Sequence, residues 1–227
     1  MPTFRGILLD VDGTLVDSND AHANAWIEAL LQYGYRVSFE TIRPLIGMGA
    51  DNLLPRLTGL GQDDPLVNEI SRRRGEIFKT KYLPYLEPLP GAHELVSKLQ
   101  ADGYQLVVAN SAENDEVHAL LHIAGVDRLV DRITTRSDVK NSKPDSDVVG
   151  VALKKGSLQP SAAVMLGDTP YDIQAATKLS VITIALRSGG WSDYHLSGAA
   201  AIYNDPADLL AHYQGSPLVR ATAGRSA

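Results

Sequence analysis

Asp10 and Asp12 stand two residues apart in Asp10-Val11-Asp12-Gly13-Thr14, directly after the apolar run Ile7-Leu8-Leu9. Two carboxylates at that spacing can divide labour, one attacking an electrophilic centre while the other moves protons. An isolated Asp-x-Asp-Gly is equally a turn, since Asp and Gly both favour turns. Further along, Asn110-Ser111 offers donors to an anion, and Lys143-Pro144 puts a cation in a loop. Gly167-Asp168, with Asp172 four residues later, supplies a second carboxylate pair. Turn chemistry explains any one of these groups more readily than all four in this order.

The elements that must position them are read from the hydrophobic pattern. β-forming runs at Arg5–Leu9, Gln105–Ala109, Ala162–Leu166, Val181–Ala185 and, more weakly, Ala200–Tyr203 alternate with helical stretches. This pattern predicts an α/β core, a Rossmann-like parallel sheet covered on both faces. The candidate groups fall at strand ends or in loops, and open parallel sheets bind ligands at the carboxyl ends of their strands. Between Asp17 and Leu89 the pattern is helical, at Ala21–Leu31 and Leu66–Tyr82. Residues 17–87 are therefore expected to form an inserted helical domain, with residues 1–16 and 88–214 making the core. The proposed edges carry capping side chains in Asp17-Ser18-Asn19-Asp20 and a proline cluster at Pro84, Pro88 and Pro90. Residues 215–227 are small, polar and aperiodic, and are expected to be a disordered tail.

The 227 residues include 21 Lys and Arg against 27 Asp and Glu, a formal charge of −6. That balance disfavours a nucleic-acid partner, which would require phosphate neutralisation. With no cysteine in the chain, a disulfide framework, a thiolate metal site and a cysteine nucleophile are excluded, so any metal must be held by oxygen or imidazole. No apolar run approaches the ~18 residues of a membrane span. Asp10 interrupts the N-terminal run before it could form a signal-peptide core, and a cytoplasmic location with no membrane partner is expected.

Taken together, Asp10-Val11-Asp12-Gly13-Thr14, Asn110, Lys143 and Gly167-Asp168-Thr169-Pro170-Tyr171-Asp172 resemble the four motifs of the haloacid dehalogenase superfamily. The resemblance runs from about Phe4 to Tyr213. It includes the helical insertion, which is similar to the C1-type cap of phosphoglycolate phosphatases and β-phosphoglucomutase-like members. Two positions depart from the pattern: Asn110 stands where Ser or Thr is usual, and Ser142 where a glycine usually precedes the lysine. The resemblance implies a Mg²⁺-dependent phosphatase acting on a small phosphorylated metabolite. Asp10 would be the nucleophile and Asp12 the general acid and base, with Asn110 and Lys143 on the phosphoryl group. Asp10, the backbone carbonyl of Asp12, and Asp168 would surround the metal, supported by Asp172. Ser111 beside the second motif, and His22, Gly47 and Arg74 in the cap, are the implied substrate contacts.

A phosphomutase would use the same motifs, but the resembling mutases carry an arginine in the cap loop where this chain has Ala50. A dehalogenase needs neither the second aspartate nor a metal. A receiver-like signalling module shares the acidic strand end and lysine but needs no ~70-residue insertion. Gly47-Met48-Gly49 comes after no expected strand and has Asn52 at the third glycine position, so a dinucleotide site is disfavoured. Ser188-Gly189-Gly190-Trp191 is read as a turn or a loop near the site entrance, and Lys140 as a solvated lysine.

Overall fold

In a computed structural model that describes residues 4–220, six strands form one parallel sheet. They are β1 (Gly6–Leu9), β2 (Gln105–Ala109), β3 (Arg132–Thr134), β4 (Ala163–Gly167), β5 (Ile182–Leu186) and β6 (Ala201–Tyr203), in the order β3-β2-β1-β4-β5-β6. β1 is buried along its whole length, and its side chains serve both faces. Ile7 and Leu9 join one apolar cluster and Leu8 another, the alternation that a strand buried on both sides imposes.

After β1 the chain leaves the core to form α1 (Asn19–Gln32), α2 (Phe39–Ile42), α3 (Ala50–Thr58) and α4 (Pro65–Ile77), the last continued by a π-helical turn at Phe78–Tyr82. Pro65 at the first helical position and the Asp64 side chain, accepting from Leu66 N at 2.9 Å, start α4. Trp26 and Leu30 of α1 and Ile70 and Ile77 of α4 are buried with Phe78 in the same apolar cluster as Ile7 and Leu9, so the apolar interior of the cap is continuous with that of the core. The outgoing and returning segments run side by side. Val16 bridges Pro88, Asp17 N donates to Glu87 O at 3.1 Å, and Leu89 N donates to Leu15 O at 2.9 Å.

The remaining helices are α5 (Ala92–Ala101), α6 (Asn114–Ile123), α7 (Asp147–Lys155), α8 (Pro170–Thr177), α9 (Pro206–Ala211) and α10 (Pro217–Arg220). Leu95, Val117 and Leu209 from α5, α6 and α9 share the cluster of Ile7 and Leu9, whereas Val149 and Ala176 from α7 and α8 share that of Leu8. No helix among the described residues is long and apolar enough to cross a membrane.

Three features differ from the sequence expectation. β3 is not anticipated by the pattern, because its three residues offer one apolar side chain, Ile133. Nor is α3, which carries Pro55 inside it. The expected tail begins too early at 215: Pro217–Arg220 is helical, Leu218 is buried, and its carbonyl accepts from Tyr104 Oη at 2.9 Å. Residues 221–227 lie outside the described part of the chain.

Candidate active site

The sheet order makes β1 the strand from which the chain departs to both sides, β2 and β3 one way and β4 to β6 the other. Such a switch point opens a crevice at the carboxyl edge. Leu9 is level with Val108 of β2 and Leu166 of β4. Asp10 therefore emerges beside the ends of both neighbours, close to Asn110 and Asp168.

Asp10 is buried, with Lys143 Nζ 2.5 Å from its Oδ1. The same ammonium lies 2.7 Å from Asp172 Oδ1. Thr14 Oγ1 reaches both Asp10 and Asp168, each at 3.2 Å. One carboxylate oxygen from each of Asp10, Asp168 and Asp172 falls within 4.8 Å of the others. Burial raises the Asp10 pKa to about 7, Lys143 opposing it and Asp172 and Asp12 adding to it. Burial likewise pushes Asp168 well above the usual carboxylate range, with Asp10 and Asp172 reinforcing the shift. On Lys143 burial acts the other way, but the two carboxylates outweigh it and raise its pKa. Three buried carboxylates facing one ammonium leave negative charge uncompensated. An all-oxygen donor set in that condition fits a hard divalent cation.

Asp172 contributes differently from the other two. Its Oδ2 accepts from Thr169 N at 3.1 Å and Thr169 Oγ1 at 2.7 Å, closing a capping box at the start of α8, while Oδ1 faces Lys143. It fixes the lysine and the helix start from behind Asp10.

Asp12 has a separate set of partners. Ser18 Oγ donates to its Oδ1 at 2.6 Å, His22 Nε2 lies 2.7 Å from the same oxygen, and Asn110 Nδ2 donates to Oδ2 at 3.2 Å. Burial alone would raise Asp12, but the His22 ring and the donated hydrogen bonds hold it well below the usual carboxylate range. Asn110 is itself oriented by its Oδ1, which accepts from Ala112 N at 2.7 Å.

The four side chains read from sequence as helix-capping groups include two that act in the site instead. Ser18 precedes α1 without capping it, because its hydroxyl is turned to Asp12. Asn19 Nδ2 donates to Asp168 Oδ2 at 2.8 Å. Gly13 makes this closeness possible: at φ +70° it turns the chain where a Cβ would lie 2.2 Å from Asp168 Oδ2 and 2.1 Å from Asn19 Nδ2. Gly189 presses on Asp168 from the far side, and Ser188 Oγ donates to Gly13 O at 2.7 Å. That loop packs behind the site.

Over these groups the cap encloses a cleft of about 490 Å³. Asp10, Asp12, His22, Gly47, Arg74, Asn110, Ser111, Lys143 and Asp172 all line it, with Asp168 beneath. His22 stacks on Phe78 with ring centroids 4.0 Å apart. Sequence reasoning missed the cap–core contacts. Asn52 Nδ2 donates to Ser142 O at 3.2 Å and Lys143 O at 3.3 Å, Ser142 N donates to Asp51 Oδ2 at 3.0 Å, and Arg74 pairs with Glu116 of α6. Asn52 stands beside the noted Gly47-Met48-Gly49 loop, but nothing in its sequence marks its distant partner. Lys140 is exposed, as expected.

Among curated proteins, the chain is 26% identical over 184 residues to fructose-1-phosphate phosphatase YqaB of Escherichia coli, covering 81% of this chain and 97% of that protein. It is 28% identical over 170 residues to pyrophosphatase PpaX of Bacillus velezensis, covering 74% and 76%. Among solved structures, a hydrolase from Pseudomonas syringae superposes with a TM-score of 0.87 at 29% identity, covering 93% of this chain and 98% of that one. A β-phosphoglucomutase from Clostridium difficile shares the fold at a TM-score of 0.80 and 16% identity, over 93% and 96%. The family model of haloacid dehalogenase-like hydrolases matches residues 7–186, and the chain belongs to that family.

Proposed function

We propose that this protein is a Mg²⁺-dependent phosphatase that hydrolyses a small phosphate monoester through an aspartyl-phosphate on Asp10. The observation that carries the reading is the division of partners between two carboxylates of one strand end. Asp10 is held by Lys143 over the acidic cluster, while Asp12 is held by Ser18, His22 and Asn110. Relatives named as a fructose-1-phosphate phosphatase and a pyrophosphatase support phosphate release as the reaction.

Asp10 and Asp168 would hold the ion, with Asp172 behind them. When bound, Mg²⁺ supplies positive charge that keeps Asp10 ionised and offsets charge on the phosphoryl oxygens. Asp10 then attacks phosphorus while Lys143, and Asn110 once its NH₂ turns from Asp12 to the substrate, neutralise or donate to those oxygens. Asp12 gives a proton to the leaving oxygen in the first step and takes one from water in the second. Its resting surroundings favour the carboxylate required for the second step. An arriving phosphate repels that negative charge and so favours the protonated form required for the first.

Hydrolysis is favoured over mutase chemistry by the cap loop. It carries Ala50 in place of an arginine, and the Asp51 carboxylate beside it is tied to Ser142 N. The test is phosphate release with MgCl₂ from two- to six-carbon sugar phosphates, phosphoglycolate and nucleotides, repeated in excess chelator. Turnover on part of the panel that chelation stops is expected. Release from none of them, or full activity in chelator, refutes the reading.

A further inference from the structure

The cleft wall beyond the reacting centre is built around one buried ion pair. Glu116 projects from α6 of the core with 1% of its surface exposed, and Arg74 Nη1 donates to both of its oxygens at 3.0 Å. The guanidinium lies 5.1 Å from the Trp26 ring centroid and 5.9 Å from that of Phe78, the ring that stacks on His22. Arg74 is therefore fixed beside His22, whose other ring nitrogen bonds Asp12, with its charge already matched. Its Nε is buried without a hydrogen-bond partner among the described residues.

The other cations of the wall are also engaged. Arg72 pairs with Glu76, Lys79 with Asp115 at 2.7 Å, and Lys143 with Asp10 and Asp172. Among the described lining residues, Arg136 alone has uncharged partners, the carbonyls of Val139 and Lys140. Glu113 adds a further carboxylate. A second phosphate could take Arg74 only by stripping it from Glu116, leaving a buried, unpaired carboxylate next to a dianion. A neutral group meets no such penalty, and any hydroxyl it carries can donate to the wall carboxylates.

We infer that Glu116, by neutralising Arg74 inside the cleft, makes the enzyme favour monophosphates whose leaving group is uncharged and discriminate against bisphosphates. This rests on the phosphatase reading and assigns Glu116 as a specificity determinant acting through Arg74.

The test uses the full chain with MgCl₂ and two matched pairs: fructose 1-phosphate against fructose 1,6-bisphosphate, and glucose 6-phosphate against glucose 1,6-bisphosphate. p-Nitrophenyl phosphate hydrolysis normalises for active protein. Wild type is expected to favour the monophosphate of at least one pair by about tenfold or more in kcat/KM, and Glu116→Gln to narrow that ratio about tenfold through KM for the bisphosphate. Competition against p-nitrophenyl phosphate in wild type needs no variant and is expected to show the bisphosphate binding about tenfold more weakly. Equal binding of both members, an unchanged ratio in folded Glu116→Gln, or a bisphosphate preference lost in Arg136→Gln overturns the inference while leaving the phosphatase intact. Release of phosphate from none of these esters, p-nitrophenyl phosphate included, overturns both.

Discussion

Replacing Asp10 by Asn is expected to abolish turnover and at the same time stabilise the metal-free protein. Asn keeps the size of the side chain and removes a charge that burial and two neighbouring carboxylates oppose, while Lys143 retains Asp172 as its partner. Raising the Asp10 pKa from 3.8 to about 7 makes its ionised form costly in the fold. At 1.36 kcal/mol per unit, the ceiling is about 4 kcal/mol above pH 7. A carboxyl group whose folded pKa lies above its unfolded value contributes stability that is present in acid and lost as pH rises through the folded value. Wild type should therefore lose roughly 3 kcal/mol from this group between pH 5 and pH 8, whereas Asp10→Asn should not. Scanning calorimetry in EDTA at the two pH values measures the effect. With ~2 to 4 °C per kcal/mol for a chain of this size, even a third of the ceiling gives roughly 3 °C in favour of the variant at pH 8, shrinking at pH 5. A variant that melts below wild type at pH 8, or a difference that grows in acid, would refute the electrostatic account of the site.

Asp12→Asn should lower kcat by ~10² to 10⁴ for an alkyl phosphate but much less for p-nitrophenyl phosphate, whose leaving oxygen needs little protonation; equal losses would remove Asp12 as the acid. Asn19→Ala deletes a buried donor to Asp168 and should weaken Mg²⁺ activation, raising the half-saturating Mg²⁺ concentration about tenfold, as read from a metal titration of phosphate release. Ca²⁺ should inhibit the Mg²⁺-activated enzyme, because the larger ion takes more oxygen ligands and can engage both oxygens of Asp10; activation by Ca²⁺ would contradict this. Asn110→Ala should cost ~2 to 4 kcal/mol in kcat/KM, with Asn110→Ser retaining more activity than Asn110→Ala; wild-type rates for Asn110→Ala would leave its NH₂ no role beyond Asp12.

The sheet was legible in the sequence wherever a strand is a short continuous apolar run, as at Leu106-Val107-Val108. It was illegible at Arg132-Ile133-Thr134, an edge strand with little to bury. The groups at strand ends were legible for the same reason, because locating a strand also locates the residues at its carboxyl end. Residues that reach the site from helices were not. Glu116 comes after Asp115 in the first turn of α6, where acidic residues are explained by the helix dipole alone, and its partner lies 42 positions away in the chain. Ser18 and Asn19 have side chains suited to ending a helix, and only the packing of α1 against the core shows that they bond carboxylates instead. Among Arg72, Arg73 and Arg74, the first two pair with Glu76 on their own helix, and only the third reaches across to Glu116 of the core.

The paired segments at Val16 and Pro88 have a mechanical consequence. Two crossings bonded to each other resist stretching and shear more than bending across their width, so any opening of the cap that releases its contacts with Ser142, Lys143 and Glu116 would take the form of a rotation about this pair. Ser18 and His22 lie just beyond that pair and hold Asp12, whereas Asp10 is held by Lys143, itself fixed by Asp172, both on core elements. A rotation of the cap would therefore move two of the three partners of Asp12, Ser18 and His22, while Asn110 and the partners of Asp10 stay with the core. On the proposed mechanism, the group that handles protons draws two of its partners from the cap, and the nucleophile draws its own from the core.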